Sequence, residues 1–171
     1  MDAQRESKPG DTSESQFVSF EIGDSKFLIP IERVVEFRIW SEPTEVPRTP
    51  EYVRGIVNIR GEIVPIYDVA ARLGRGATEA TARHVVVIVR SEDSRSIGLL
   101  VDSVTDIVNA KGGNMASMPK IDGGSATPFM AGVVFIDDRI LGVTDVDRLV
   151  QETFPGLEHA TSAGSLEGPR G

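Results

Sequence analysis

Histidine is the side chain best suited to moving protons near neutral pH, and the chain has only His84 and His159. His159 lies in a polar terminal stretch, so a serine, histidine and acid triad would rest on His84 alone, and no serine sits in a G-x-S-x-G turn. His84 stands at the start of an apolar run and reads as an edge or surface residue. With 0 cysteines there is no thiolate to serve as nucleophile or metal ligand. Asp137-Asp138 and Asp145-Val146-Asp147 supply paired carboxylates but lack the further oxygen ligands a hard cation needs, and turn and cap roles suffice for them. Glu32 and Glu36 invite an acid/base reading. On an extended segment, however, they would share one face about 13 Å apart, as solvated groups. Neither G-x-x-x-x-G-K-[ST] nor a strand-to-helix G-x-G-x-x-G occurs. No catalytic residue, metal or cofactor is expected, which favours an interaction module over an enzyme.

Composition narrows the partners of such a module. A net charge of -8 and a pI near 4.8 oppose binding to nucleic acid or to an anionic membrane, since both draw on Lys and Arg to neutralise phosphate. Residues Met1 to Ser15 are polar, and no later apolar run is long enough to cross a bilayer. A cytoplasmic protein is therefore expected, one that would reach any membrane partner by protein contact and not by insertion. The 171 residues suit one domain or two small subdomains, and 40% hydrophobic content with 6% aromatics predicts a core of Val, Ile and Leu.

The elements that must display its contacts are short β-branched runs separated by turn residues. Phe17–Ile22 and Lys26–Pro30 flank Gly23-Asp24-Ser25 as a first hairpin, and Val34, Val35, Phe37 and Ile39 continue in extended form. Gly55–Ile59 and Glu62–Tyr67 flank Arg60-Gly61, a second hairpin. The pattern then returns. Val85–Arg90 and Ile97–Val101 flank a polar loop, Val104–Val108 extends, and Gly132–Ile136 and Ile140–Val143 flank Asp137-Asp138-Arg139. Each second hairpin runs into an amphipathic segment with an acidic start, at Asp68 and Asp145, which predicts N-capped short helices. The repetition predicts an all-β fold with short helices, built as two small five-stranded barrels. Gly74–Thr78 is the best linker on composition, Lys111–Thr127 reads as a loop, and residues 1–15 and 155–171 read as disordered tails around a domain spanning 16–154.

Pro47-Arg48-Thr49-Pro50-Glu51-Tyr52-Val53-Arg54-Gly55-Ile56-Val57-Asn58-Ile59-Arg60-Gly61-Glu62-Ile63-Val64-Pro65-Ile66-Tyr67-Asp68 closely resembles the signature of the CheW-like chemotaxis adaptor family, G-[IV]-x-N-[LI]-R-G-x-[IV]-x-P-[IV]-x-[DN]. Phe20–Asp24 with Ile29–Glu36, Gly98–Ile107 and Gly132–Val150 resemble the rest of that domain, so the likeness covers about Gln16 to Phe154.

The resemblance implies two intertwined five-stranded SH3-like barrels. It also implies a non-enzymatic adaptor that couples the cytoplasmic tips of chemoreceptors to a CheA-type histidine kinase, within membrane receptor arrays. By motif position, Val34, Glu36, Arg60, Val86, Val87 and Val104 would meet the receptor around a groove between the barrels. An alternative for Arg60 is a turn residue paired with Glu36 or another acid of the same chain. Gly55, Asn58, Gly61 and Pro65 read as hairpin-shaping residues, and Trp40 as either interface anchor or core. Two other readings stand beside this one: a CheW-like scaffold of a non-flagellar array, serving pili or biofilm signalling, and a small-ligand-binding β-barrel.

Overall fold

A computed structural model describes residues 14–117 and 130–151. The strands are β1 (Glu14–Ile22), β2 (Ser25–Pro30), β3 (Val34–Ile39), β4 (Val53–Ile59), β5 (Glu62–Asp68), β6 (Val85–Arg90), β7 (Ser96–Val101), β8 (Ser103–Lys111), β9 (Met115–Ser117), β10 (Met130–Ile136) and β11 (Arg139–Thr144). Two short helices, α1 (Val69–Arg72) and α2 (Val146–Gln151), follow β5 and β11.

The strands pair where apolar alternation meets a turn that only certain residues can make. Arg60 and Gly61, at φ 50° and 88°, turn β4 into β5, while Asp137 and Asp138, at 49° and 64°, turn β10 into β11. Two successive positive φ values give the turn twist that matches paired strands. Asp68 caps α1 by accepting from the Ala71 amide, as its position predicts.

One unit holds the described residues of 14–34 and 102–146, and the other holds 35–101 and 147–151. The first unit is a sheet in the order β8-β1-β2-β11-β10-β9, with Phe17, Leu28, Val134, Leu141 and Val143 packed in its core. The second is a sheet in the order β3-β6-β7-β5-β4 around Trp40, Ile59, Val64, Ile66, Val86, Ile88 and Leu100. Leaving out β9, the two orders correspond strand for strand, and in each the two hairpins meet through a parallel pair, β2 with β11 and β7 with β5.

Superposing these orders on the sequence shows an exchange. Each repeat reads hairpin, strand, hairpin, yet β1–β2 joins the sheet of the second repeat's β8, and β6–β7 joins the sheet of the first repeat's β3. The break at Gly74–Thr78 is therefore not a boundary, because those residues lie inside the second unit. The chain changes units after Val34, Val101 and Val146 instead.

Other expectations shift in detail. The first sheet has six strands because Met115–Ser117, expected in a loop, pairs with β10; residues 118–127 of that loop lie outside the described residues. Glu14 and Ser15, assigned to a tail, already pair with Lys111 and Ala110 in β1, while residues 1–13 and 152–171 also lie outside the described part. Glu32 sits in a 3-10 turn, Ile31–Arg33, and not on the extended segment that carries Glu36.

Candidate functional site

The signature segment forms the β4–β5 hairpin, and each of its unusual residues answers a backbone requirement. Gly55 has φ 146°, and a Cβ there would lie 2.3 Å from the Thr44 carbonyl oxygen. That close approach is needed because Thr44 and Ile56 exchange two backbone hydrogen bonds of 2.9 and 2.8 Å. At the tip, the Gly61 amide donates to Asn58 Oδ1 at 2.9 Å, closing the turn with a side-chain acceptor. Pro65 sits opposite Ile56 in the β4–β5 register and is buried.

Arg60 projects from this tip and is 67% exposed. Its guanidinium donates to both carboxylate oxygens of Glu36 on β3, Nη2 at 3.1 Å and Nη1 at 3.4 Å. β3 and β4 are the two ends of the five-stranded order, so this pair joins strands far apart in the sheet and records how strongly it curls. Arg38 adds a second guanidinium 3.3 Å from Glu36. The Arg60 hydrogen bond, more than any other influence, holds the Glu36 carboxyl below its ordinary range. The alternative reading of Arg60 as a partner of Glu36 thus describes the free molecule.

The opposite side of β3 is apolar and open. Val35, Phe37 and Ile39 alternate with Glu36 and Arg38, and Phe37 and Ile39 are 49% and 72% exposed. Large apolar side chains in a row on an edge strand mark an interaction surface. Sequence reasoning placed the strand but not this exposure, because alternation with charged residues also fits a strand whose apolar side is covered.

The other expected contact residues are placed differently. Val86 and Val87 are 5% and 0% exposed, and Val86 belongs to the core beneath β3's neighbour β6. Val34 and Val104 are half-buried. Trp40 is core: it packs in the second unit's cluster with the Arg54 guanidinium 5.1 Å from its ring centroid. His84 is held locally, its Nδ1 accepting from the Thr81 amide at 3.0 Å. Among the described residues no group of three or more His, Asp or Glu is arranged to hold a metal ion, and no helix is long and apolar enough to cross a membrane.

The first unit has its own open apolar tip. Phe135 and Ile140 face each other across β10 and β11 beside the Asp137-Asp138 turn, and both are exposed.

A model of the CheW-like domain matches residues 16–154. The chain belongs to the CheW-like family. This CheW-like domain is 37% identical over 143 residues to the chemotaxis protein CheW of Rhizobium meliloti, covering 84% of this chain and 89% of that one. It is 36% identical over 138 residues to a probable chemotaxis protein CheW of Rhizobium etli, covering 81% and 88%. Among solved structures, the scaffolding protein TtCheW of Thermoanaerobacter tengcongensis matches with a TM-score of 0.70 at 26% identity, over 77% of this chain and 89% of that one. The expected architecture of two SH3-like barrels is therefore the observed one, and the paired curled sheets are those of a CheW-like protein.

Proposed function

We propose that the protein is a non-enzymatic adaptor of bacterial chemotaxis, coupling the cytoplasmic tips of chemoreceptors to a CheA-type histidine kinase. The observation that carries this reading is that each unit presents an exposed apolar cluster of its own, Val35, Phe37 and Ile39 on β3 and Phe135 and Ile140 on the β10–β11 tip. An adaptor must bury two surfaces at once, and a soluble protein leaves large apolar side chains grouped in the open where a partner will cover them.

In this reading the receptor tip, a helical hairpin, lays an apolar stripe against Val35, Phe37 and Ile39. Glu36 and Arg60 fix its register. Arg60 can present its fork to a receptor carboxylate or to backbone carbonyls, and the pair with Glu36 holds that fork ordered beforehand. Val34 and Val104, both half-buried, are proposed as receptor contacts by motif position. Val86 and Val87, buried on β6 beside β3, support that strand from within the unit and are not the contact itself. The β10–β11 tip is the proposed kinase surface. The protein acts without a cofactor, at the cytoplasmic face of receptor arrays, through these contacts.

The test is a pull-down with the same organism's kinase and a receptor cytoplasmic fragment. Wild type retains both. Phe37→Glu is expected to lose the receptor fragment and keep the kinase, and Ile140→Glu the reverse. Retention of both partners by both folded variants would sink the assignment of surfaces, and failure of the wild type to bind either would sink the adaptor reading.

A further inference from the structure

The signature's last residue does more than cap a helix. Asp68 is fully buried, and its carboxylate accepts four hydrogen bonds: from Arg54 Nη1 at 3.0 Å, the Ala71 amide at 3.3 Å, the Thr78 amide at 2.7 Å and Thr78 Oγ1 at 2.7 Å. Arg54 Nη1 also donates to the Thr78 carbonyl oxygen at 2.7 Å. One charged pair thereby grips donor, acceptor and hydroxyl of a single residue in the connection between α1 and β6.

That connection is fixed at its other end as well. The Trp40 amide donates to the His84 carbonyl oxygen at 3.1 Å, and the His84 amide to that of Thr81 at 2.9 Å. Between the two anchors, Ala80 packs on the Trp40 cluster, and the Arg54 guanidinium lies over the Trp40 ring. Residues 78–84 thus form a strap over Trp40. Trp40 directly follows β3, and His84 directly precedes β6, the strand beside β3.

We infer that the Asp68–Arg54–Thr78 clasp is a positioning device for partner docking, tightening the 78–84 strap so that Trp40 and His84 hold the end of β3 and present Phe37 and Ile39 in one register. A buried carboxylate with all its acceptor positions engaged has one low-energy arrangement, so the strap cannot slide without breaking several charge-assisted bonds together. Capping α1 alone needs only the Ala71 bond, and the rest of the network is spent on the strap. The inference rests on the proposal that β3 is a docking strand.

The test uses the full chain. Asp68→Asn is the direct change but leaves Arg54 without its anion and can prevent folding, so Thr78→Val is the working variant. It removes one hydroxyl bond and keeps the backbone ones. Thr78→Ser should restore wild-type behaviour, and Leu28→Val in the other unit's core serves as a control of comparable melting temperature.

Two readouts are needed. Hydrogen exchange of the Trp40 amide should quicken about tenfold in Thr78→Val and stay unchanged in Leu28→Val, since only the former loosens the bond to His84. Affinity for the receptor cytoplasmic fragment should fall roughly three- to tenfold in Thr78→Val alone. Unchanged Trp40 exchange in Thr78→Val overturns the clasp. Quickened exchange with unchanged affinity overturns the link to docking when Phe37→Glu does weaken binding. If Phe37→Glu also binds normally, the docking role of β3 fails and the positioning role falls with it.

Discussion

Arg60 shows how one residue can carry a backbone duty and a surface duty together. Its φ of 50° belongs to the turn, whereas its guanidinium belongs to Glu36. Arg60→Gly separates the two, because glycine accepts a positive φ without the steric cost Arg bears. Stability should change by less than about 1 kcal/mol in urea unfolding, while receptor-fragment binding weakens. Glu36 gives a second prediction. Its folded pKa is lowered, so its contribution to stability is complete above the ordinary carboxylate value of 4.5 and is lost as pH falls through the lowered value. The melting temperature of wild type should thus exceed that of Glu36→Gln at pH 7, and the gap should close as pH falls below 4.5 and through the lowered value. A gap that stays constant through the acid range would remove the pair from the account.

Elements were legible wherever a local turn dictated pairing. Asn58-Ile59-Arg60-Gly61 and Asp137-Asp138 announce their hairpins because few residues tolerate successive positive φ values. Asp68 announced a helix start, though not the three further bonds it accepts, because Arg54 and Thr78 reach it only through the fold. The strip on β3 was half legible: alternation gave the strand, but exposure depends on which neighbour arrives. Val86 and Val87 make the same point in reverse. A run with both faces covered looks, in sequence, like any other β-branched run. Gly55 was expected to shape its hairpin, and the structure sharpens that into a clash. Gly55→Ala drives a methyl group into the Thr44 carbonyl and should cost about 2–4 kcal/mol, measured by chemical denaturation.

At the scale of the whole molecule, the repeat was visible and the exchange of its hairpins was not, since each hairpin is locally complete and its sequence does not say which sheet it joins. The exchange predicts how fragments behave. Residues 1–101 contain β3 to β7, every strand of the second unit, but leave β1–β2 without β8 and β11. Amide NMR of that fragment should show dispersed signals from residues 35–101 and collapsed ones from residues 14–30. Dispersed signals from Phe17 to Pro30 would mean that the first hairpin is stable without its sheet, against the marginal stability of isolated hairpins.

The parallel pairing of Phe27 in β2 with Gly142 in β11 also sets a clock. On the ribosome the first hairpin emerges with neither of its partners made, and at about 5–20 residues per second the wait for Gly142 is on the order of ten seconds. Through that interval the buried faces of Phe20, Leu28 and Ile29 are in water, and both hairpin edges are unpaired. That interval is when the nascent chain is most open to misassociation through its apolar surface.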